Sequence, residues 1–435
     1  MSFELKEERP VKGLSITTTA DSKFNTETII VRFILPIEQE TTQKRWTVIS
    51  MLTDACAAYP DKTLLSRRLA ELYGASLFSF SYKLGNYQVS GITMSSIGDR
   101  YTLNGEGITA ECAELMLDCI FKPHMKDGVF DELLFENSRQ ELVNKIRSAA
   151  DNRHTYALRR AGEIAFRGES SAVQLLGEED TALAMTAEDV SEVYRDMLAK
   201  GFITVSFCGG GTNTEAQRIV SERLTEFAGS RDYDGEDIRG LTSLSPLKPE
   251  PEYVTEQIDQ KQSKLVLVCK SASEDEFAVK LAVLIYGGTP FSKLFMNVRE
   301  KMSLCYYCQS SMIEGKGTMV IDSGVAPGDE EKARAEILRQ LTLMQQGEID
   351  EEELEDTKRY YIGTLRSIND FSDDQNSWFF TRFGRGDLLT PQEAEEKVRA
   401  VTMERVIEAI RSFALDTVYT LEPTDKDAEG GDEDE

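Results

Sequence analysis

Histidine is almost absent from this chain of 435 residues, which contains two, His124 and His154. A hydrolytic zinc site normally takes two or three imidazoles together with a carboxylate. His124 follows Lys-Pro in a predicted loop and His154 lies in a charged predicted helix, so we expect neither to bind a metal. Two histidines in these settings also do not assemble into a Ser-His-Asp triad.

Cysteines and long apolar runs are scarce as well. Seven cysteines, an odd number spread along the chain, do not resemble a disulfide framework and predict a reducing compartment. Cys305 and Cys308 have the C-x2-C spacing of a zinc knuckle, but no second pair follows and an alternating strand explains them more simply. The start, MSFELKEERP, lacks the apolar core of a signal peptide, and no run approaches the roughly 18 apolar residues of a membrane span. We therefore expect a cytoplasmic protein with no membrane partner.

Basic residues are outnumbered, with 49 Lys and Arg against 76 Asp and Glu and a net charge of -27. This balance argues against nucleic acid as a partner, because a phosphate backbone would be repelled. The Gly-Gly-Gly run at 209–211 lacks the spacings of phosphate loops and predicts a turn, so we expect no cofactor. The chain is too long for one core, and 40% hydrophobic residues are enough to fill two.

Periodicity predicts a mixture of strands and helices. Residues 28–36 are rich in β-branched side chains and read as the first clear strand, and apolar residues at helical spacing predict a helix over 45–58. Further predicted elements are a helix at 64–73, strands at 76–82 and 87–93, helical residues over 131–166, a capped helix at 186–198 and a strand at 202–208.

The second half of the chain repeats the first. Asp131-Glu132 and Lys145 to Ser148 are matched by Asp350-Glu351 and Thr364 to Ser367, both at an offset of 219 residues. Several such matches in one order predict a duplicated domain. The predicted class is α+β, with two homologous domains that each hold a mainly antiparallel sheet covered by helices. The predicted bounds are domains over 1–228 and 252–423, a linker over 229–251 and a disordered acidic tail over 424–435.

Residues 287–306 carry a family resemblance. Gly287-Gly288, then Ser-Lys-Leu-Phe from residue 292, Val-Arg-Glu-Lys from 298 and Ser-Leu-Cys-Tyr ending at Tyr306 closely resemble the second signature of the pitrilysin and mitochondrial-processing-peptidase family of zinc peptidases. The resemblance covers nearly the whole chain and implies the fold of that family. Active members carry an HxxEH zinc motif on the helix after the first strand and a third ligand, a glutamate, on a later helix.

This sequence departs from the family at the metal ligands. Alignment of the helix after residues 28–36 places Ser50, Thr53 and Asp54 where the family has His, Glu and His, and Lys145 where it has the third ligand. A lysine ammonium repels a zinc ion rather than binding it. The resemblance therefore implies a chain that cannot hydrolyse peptides by the family's mechanism and that binds no metal at these degenerate positions.

The second signature implies what is retained. By resemblance Arg299 and Tyr306 contact the bound peptide and stabilise the reacting carbonyl opposite a partner's zinc, Gly287 and Gly288 contribute to substrate binding, and the adjacent Tyr307 is the less favoured candidate. The implied function is a catalytically incomplete subunit that pairs with a zinc-bearing homologous peptidase and helps bind a peptide or unfolded protein segment. The chain also resembles the inactive chain of bacterial pairs associated with modification of elongation factor P. Two alternatives stay open, an active metallopeptidase with a non-standard site and a non-catalytic scaffold or clamp.

Overall fold

The computed structural model describes residues 4–211, 213–235, 238 and 243–424. The expected acidic tail lies outside the described residues from 425 onward, as do 236–237 and 239–242 of the expected linker. Within the described part of the chain, no helix is long and apolar enough to cross a lipid bilayer.

The strands run in chain order as follows: β1 (Glu4–Glu8), β2 (Leu14–Ala20), β3 (Thr26–Pro36), β4 (Ser76–Leu84), β5 (Tyr87–Ile97), β6 (Met125–Lys126), β7 (Val129–Phe130), β8 (Phe202–Gly209), β9 (Glu252–Ile258), β10 (Ser263–Lys270), β11 (Cys305–Ile313), β12 (Thr318–Val325) and β13 (Ala414–Pro423).

The α-helices are α1 (Gln39–Met51), α2 (Lys62–Glu71), α3 (Ile108–Phe121), α4 (Glu132–Asp151), α5 (Arg153–Ala165), α6 (Glu179–Ala184), α7 (Ala187–Lys200), α8 (Thr214–Gly229), α9 (Glu276–Val283), α10 (Glu330–Gln346), α11 (Glu351–Ser367), α12 (Ser372–Arg385), α13 (Pro391–Arg399) and α14 (Met403–Arg411). Two further segments, Leu284–Gly288 and Phe295–Lys301, have π-helical geometry. Single turns of 3₁₀-helix occur at Asp99–Tyr101, Ser170–Ala172 and Ile368–Asp370.

One compact unit comprises residues 1–148, 173–241 and 369–388. Its six-stranded sheet has the order β1-β2-β8-β3-β5-β4, and β2 with β8 is the parallel pair. Because successive strand residues point to opposite faces, Val31 and Phe33 on β3 join the large core under α1, α3 and α7. Ile34, one residue on, packs instead with Phe380 and Phe383 of α12 on the other face.

The other compact unit comprises residues 149–172, 242–368 and 389–435. Its five-stranded sheet has the order β11-β12-β10-β13-β9, and β13 with β9 is the parallel pair. Helix α5 lies on one face of this sheet, where Ala157 and Ala161 pack against Val266 and Tyr419. The small alanine side chains let the helix approach the strands closely.

A buried charge network fixes the end of α5 in this unit. Lys270 Nζ lies 3.1 Å from Asp416 Oδ2, and the two side chains are 3% and 0% exposed. The same ammonium donates to the carbonyl oxygens of Ala165, the last residue of α5, and of Pro246, at 2.7 and 2.8 Å. Three acceptors around one buried ammonium compensate for its lost hydration.

The predicted α+β class, with mainly antiparallel sheets covered by helices, is confirmed. The capped helix predicted at 186–198 is confirmed as α7, where Thr186 and Asp189 form a reciprocal capping box. The helical residues predicted over 131–166 form two helices rather than one zone. Asn152 separates α4 from α5 and accepts a hydrogen bond from the Thr155 amide, as an N-cap does.

The bounds predicted for the helix at 45–58 are wrong. Helix α1 begins at Gln39 and ends at Met51. Beyond Met51 the backbone amides leave the helical hydrogen-bond pattern. The Cys56 amide donates to the Tyr59 carbonyl and the Ala57 amide donates to the Lys122 carbonyl. Strands β1 and β2 were not predicted.

Candidate functional site

The segment aligned with the HxxEH motif, which contains Ser50, Thr53 and Asp54, lies at the end of α1. The helix stops at Met51, and the chain then tightens, with the Thr53 amide bonded to the Ser50 carbonyl and the Asp54 amide to the Met51 carbonyl, both at 3.1 Å. Ser50 is therefore the last but one residue of the helix, whereas Thr53 and Asp54 follow its end in a turn.

Each of these three side chains has a local environment of its own. Ser50 is buried, at 8% exposure. The Thr53 hydroxyl donates to the Ser50 carbonyl at 2.9 Å. The Asp54 carboxylate, largely buried, lies 2.8 Å from Lys62 Nζ, and the hydrogen bond from this ammonium to Asp54 raises the pKa of Lys62. The one carboxylate in the motif is thus already neutralised by a cation.

Lys145 lies beside the same helix. Its ammonium is 4.7 Å from the centre of the Trp46 ring and 3.1 Å from a carboxylate oxygen of Glu141, one turn earlier on α4. A lysine over an indole face gains a cation–π interaction. Trp46 precedes Ser50 by one turn of α1, so the structure does bring Lys145 next to the degenerate motif.

The residues at these positions do not fit a zinc ion. Zinc sites in proteins use thiolate, imidazole and carboxylate ligands. The four positions supply two hydroxyls, one carboxylate paired with Lys62, and one ammonium. Across the residues the structure describes, no group of three or more His, Cys, Asp or Glu side chains is placed to hold a metal ion.

The two histidines belong to different units and have different carboxylate neighbours. His124 Nε2 lies 3.8 Å from Asp131 Oδ2. His154, near the start of α5, lies with Nε2 2.5 Å from Oδ2 of Asp322, a residue of β12 that is 4% exposed. The Tyr307 hydroxyl donates to the other oxygen of Asp322 at 3.2 Å, and its ring packs edge-on against His154.

Gly287 and Gly288 end the first π-helical segment. A Cβ on Gly287 would lie 2.7 Å from the Ser310 backbone nitrogen on β11, and one on Gly288 would lie 2.7 Å from Leu284 Cδ2. Gly287 therefore allows the helical segment to pack directly on the strand backbone. This contact fixes the start of the signature against β11, the strand that carries Tyr306.

Arg299 lies in the second π-helical segment. Its guanidinium carbon is 4.6 Å from the centre of the Phe295 ring, its Nε is 3.8 Å from Glu300 Oε1, and 41% of the side chain is exposed. Segments of π-helix occur frequently at functional sites. Much of the guanidinium surface is therefore available to a ligand.

Tyr306 and Tyr307 differ in orientation because β11 contains a bulge. Cys305 lies opposite Val325 of β12 and Tyr307 lies opposite the next residue, Gly324, so Tyr306 is the extra residue. Tyr306 is 69% exposed, whereas Tyr307 turns toward Asp322. The structure thus presents Tyr306, the favoured candidate, to solvent.

Two arrangements were missed at the sequence level. The pairing of His154 with Asp322 joins residues far apart in the chain, and no local pattern indicates it. Regular alternation would place Cys305 and Cys308 on opposite faces of a strand, but the bulge between them puts both in the interior. A bulge has no reliable mark in a single sequence.

With this geometry in view, comparisons with known proteins give a consistent result. A family model described as Peptidase M16 inactive domain matches residues 184–361, which include Arg299 and Tyr306. The "Probable inactive metalloprotease YmfF" of Bacillus subtilis (strain 168) is 23% identical over 421 residues, covering 95% of this chain and 96% of that protein. This chain is a homologue of inactive M16 metalloproteases.

Solved structures agree with this relationship. A conserved protein from Enterococcus faecalis V583 is 26% identical and superposes with a TM-score of 0.88, covering 97% of this chain and 99% of that chain. A peptidase M16 inactive domain from Pseudomonas fluorescens, at 14% identity, shares the fold, with a TM-score of 0.79 and coverage of 97% and 98%. The predicted resemblance to an inactive member of this zinc-peptidase family is confirmed.

Proposed function

We propose that this M16 homologue is the catalytically incomplete subunit of a pair, in which an HxxEH-bearing relative supplies the zinc and this chain helps bind a peptide. The observation that carries the proposal is an asymmetry between the two signatures. The positions of the metal ligands hold Ser50, Thr53, Asp54 and Lys145, whereas Arg299 and Tyr306 are kept and exposed. A chain that presents substrate-facing residues but has no zinc ligands at these positions would complement a partner that supplies the zinc site.

Arg299 and Tyr306 have the chemistry for the role proposed. A guanidinium and a phenol both donate hydrogen bonds, and a donor directed at a developing oxyanion lowers the barrier by roughly 3 to 4 kcal/mol. The π-helical segment and the bulge hold them on adjoining elements of one unit. Gly287 serves this site by bringing the helical segment onto β11, and Gly288 packs closely against Leu284 of the same segment.

An extended peptide can add to the edge strand of a sheet, and the two larger described sheets offer β1, β4, β9 and β11. Natural edge strands are usually protected from pairing by charges, prolines or bulges. Four of the five residues of β1 are charged, β9 carries Glu252 and Glu256, and β11 is bulged. We propose β4 as the docking edge because it has a single charge, at Lys83, no proline and an unbroken register with β5.

The side chains of β4 suit an extended peptide. Phe78 and Tyr82 are 48% and 38% exposed on one face, with Phe80 between them, and Ser79 and Ser81 lie on the other face. Backbone pairing at an edge tolerates many side chains, while alternate positions add preference. A bound segment with apolar residues at every second position fits this edge best.

The finer parts of the proposal follow from the family resemblance. We propose a bacterial, cytoplasmic pair linked to modification of elongation factor P, and a chain built from duplicated domains over 1–228 and 252–423.

The proposal is tested by isolating the partner and measuring peptide turnover. Affinity purification of this chain from its native cell should recover a relative that carries HxxEH. In the reconstituted pair, we expect Arg299→Ala and Tyr306→Phe each to lower kcat/KM roughly 100- to 1000-fold, as the loss of one oxyanion donor does.

Matched controls are available on α11. Arg359 and Tyr360 are exposed residues of the same unit, so Arg359→Ala and Tyr360→Phe should leave turnover unchanged. Equal activity of the signature variants and these controls would favour a non-catalytic scaffold. Peptide hydrolysis by this chain alone, abolished by chelation of its metal, would establish the alternative of a non-standard metallopeptidase.

A further inference from the structure

Cys305 and Cys308 form a thiol pair on either side of the Tyr306 bulge. Without the bulge, residues three apart on a strand would face opposite sides of the sheet. With one extra residue between Cys305 and Tyr307, both cysteines turn inward, at 9% and 5% exposure. The two thiols are hydrogen-bonded to each other and both contact Ser323.

The two thiols are chemically unequal. The hydrogen bond from Cys308 lowers the pKa of Cys305 against the opposing effect of burial, and the positive charge of Arg299 acts in the same direction as that hydrogen bond. The same hydrogen bond, together with burial, raises the pKa of Cys308. A thiolate is the reactive form of cysteine, and neighbouring cations favour it. Cys305 is also the more exposed of the two thiols, at 9% against 5%, so it is suited to act as the nucleophile and Cys308 as the thiol that resolves it.

We propose that Cys305 and Cys308 are a site of oxidation by hydroperoxides, which converts the pair into a disulfide across the bulge. The Cys305 thiolate attacks one peroxide oxygen, the O–O bond breaks, and the sulfur becomes a sulfenic acid as hydroxide leaves. Cys308 sulfur then attacks the sulfenic sulfur, and the departing hydroxyl takes up a proton and leaves as water. In sum, two thiols and one hydrogen peroxide give one disulfide and two waters.

The chain contains its own comparison pair in Cys56 and Cys119. Those thiols are also hydrogen-bonded, and the pKa of Cys56 is lowered to about 6 by the hydrogen bond from Cys119. Both residues, however, are 0% exposed. Access distinguishes the pairs, because Cys305 keeps 9% exposure beside the exposed Tyr306 in the sequence, whereas Cys56 and Cys119 keep none.

Oxidation would act on the candidate substrate site. A disulfide requires its two Cα atoms to lie within about 7 Å, so it would hold the strand on either side of Tyr306 to that spacing. This consequence rests on the proposed function, whereas the oxidation itself does not. The chemistry is therefore tested first, on the isolated full chain.

The experiment treats the purified full chain with hydrogen peroxide, alkylates the remaining thiols and maps tryptic peptides by mass spectrometry. Cleavage after Lys301 and Lys316 places both cysteines in one peptide, residues 302–316. We expect this peptide to lose two hydrogens and both alkylation sites at peroxide concentrations that leave the peptides of Cys56 and Cys119 alkylated. Two free thiols in peptide 302–316 when the other pair is already oxidised would overturn the proposal.

Two variants assign the roles. In the Cys308→Ser variant, oxidation should stop at the sulfenic acid, detected as a dimedone adduct on Cys305. In the Cys305→Ser variant, Cys308 should not be oxidised. Oxidation of Cys308 in the second variant would overturn the assignment of Cys305 as nucleophile. In the reconstituted pair, oxidation of the wild type but not of Cys305→Ser should reduce turnover. Disulfide formation without that reduction would separate the redox chemistry from the proposed peptide role.

Discussion

The ammonium of Lys145 lies 4.7 Å from the centre of the Trp46 ring, one turn of α1 before Ser50. A cation therefore lies beside the segment that the family resemblance aligns with the HxxEH motif. Lys62, paired with Asp54, is a second cation at the same segment. Both positive charges oppose the entry of a zinc ion.

Restoring the four ligands alone should not restore a zinc site. The variant combines Ser50→His, Thr53→Glu, Asp54→His and Lys145→Glu. Because α1 ends at Met51, residues 50 and 54 do not share one regular helical face, as paired imidazoles require. We expect less than stoichiometric zinc after dialysis, measured by atomic emission beside the wild type. One tightly held zinc per chain in the variant would show that the backbone is already competent.

The β4 edge predicts a site-specific loss of peptide binding. A lysine at Phe78 adds a charge of the kind that blocks strand pairing. We expect Phe78→Lys to weaken binding of a fluorescent extended peptide at least about tenfold, or about 1.4 kcal/mol. The matched control is Tyr253→Lys, because Tyr253 is an exposed aromatic residue on β9, an edge strand of the five-stranded sheet. Equal losses of peptide binding in the two variants would show that β4 is not the docking edge.

The buried pair of Lys270 and Asp416 predicts a large loss of stability. Asp416→Asn leaves the ammonium of Lys270 buried without a counter-charge, which costs roughly 3 to 5 kcal/mol. Urea unfolding monitored by circular dichroism measures the change. The control Asp329→Asn breaks the exposed pair with Lys332 and should change the free energy of unfolding by less than about 1 kcal/mol. Similar changes in the free energy of unfolding for both variants would show that the buried Lys270–Asp416 pair contributes no more than an exposed pair.

Glu256 predicts an acid-dependent loss of stability. Burial raises the pKa of this carboxyl, but hydrogen bonds from Arg160, Tyr419 and Tyr156 outweigh burial and hold it below its usual value. A carboxyl with a lowered folded-state pKa stabilises the fold above its unfolded pKa, near 4.3, and this contribution is lost as the pH falls through the folded value.

The matching measurement compares the wild type with Glu256→Gln in urea at several pH values. The stability difference between them should be largest at pH 6 to 7 and should shrink below pH 4. A difference that does not change with pH would mean that the carboxylate charge contributes nothing to holding α5 on its sheet.

The sequence alone predicts those features of the fold whose determining interactions are local. The Thr186 capping box lies within four residues and was recognisable before the structure, as was the strong β-branched pattern of β3. The motif at 287–306 was specific enough to indicate the family, because its glycines and its arginine stand at fixed spacing.

Non-local interactions explain what sequence reasoning missed. The end of α1 is decided by backbone bonds such as that from Ala57 to Lys122, about 65 residues away. The pairing of β2 with β8, the packing of α5 on β10 and β13, and the contact of His154 with Asp322 likewise join distant segments. Residue patterns in a window carry no information about which distant segment supplies the partner.

The most direct test is the zinc stoichiometry of the isolated pair by native mass spectrometry, followed by that of each chain after separation. We expect one zinc ion per pair, held entirely by the HxxEH-bearing partner, and none on this chain after equilibration with equimolar zinc. One zinc ion bound by this chain alone, lost when His124 or His154 is replaced, would contradict this expectation.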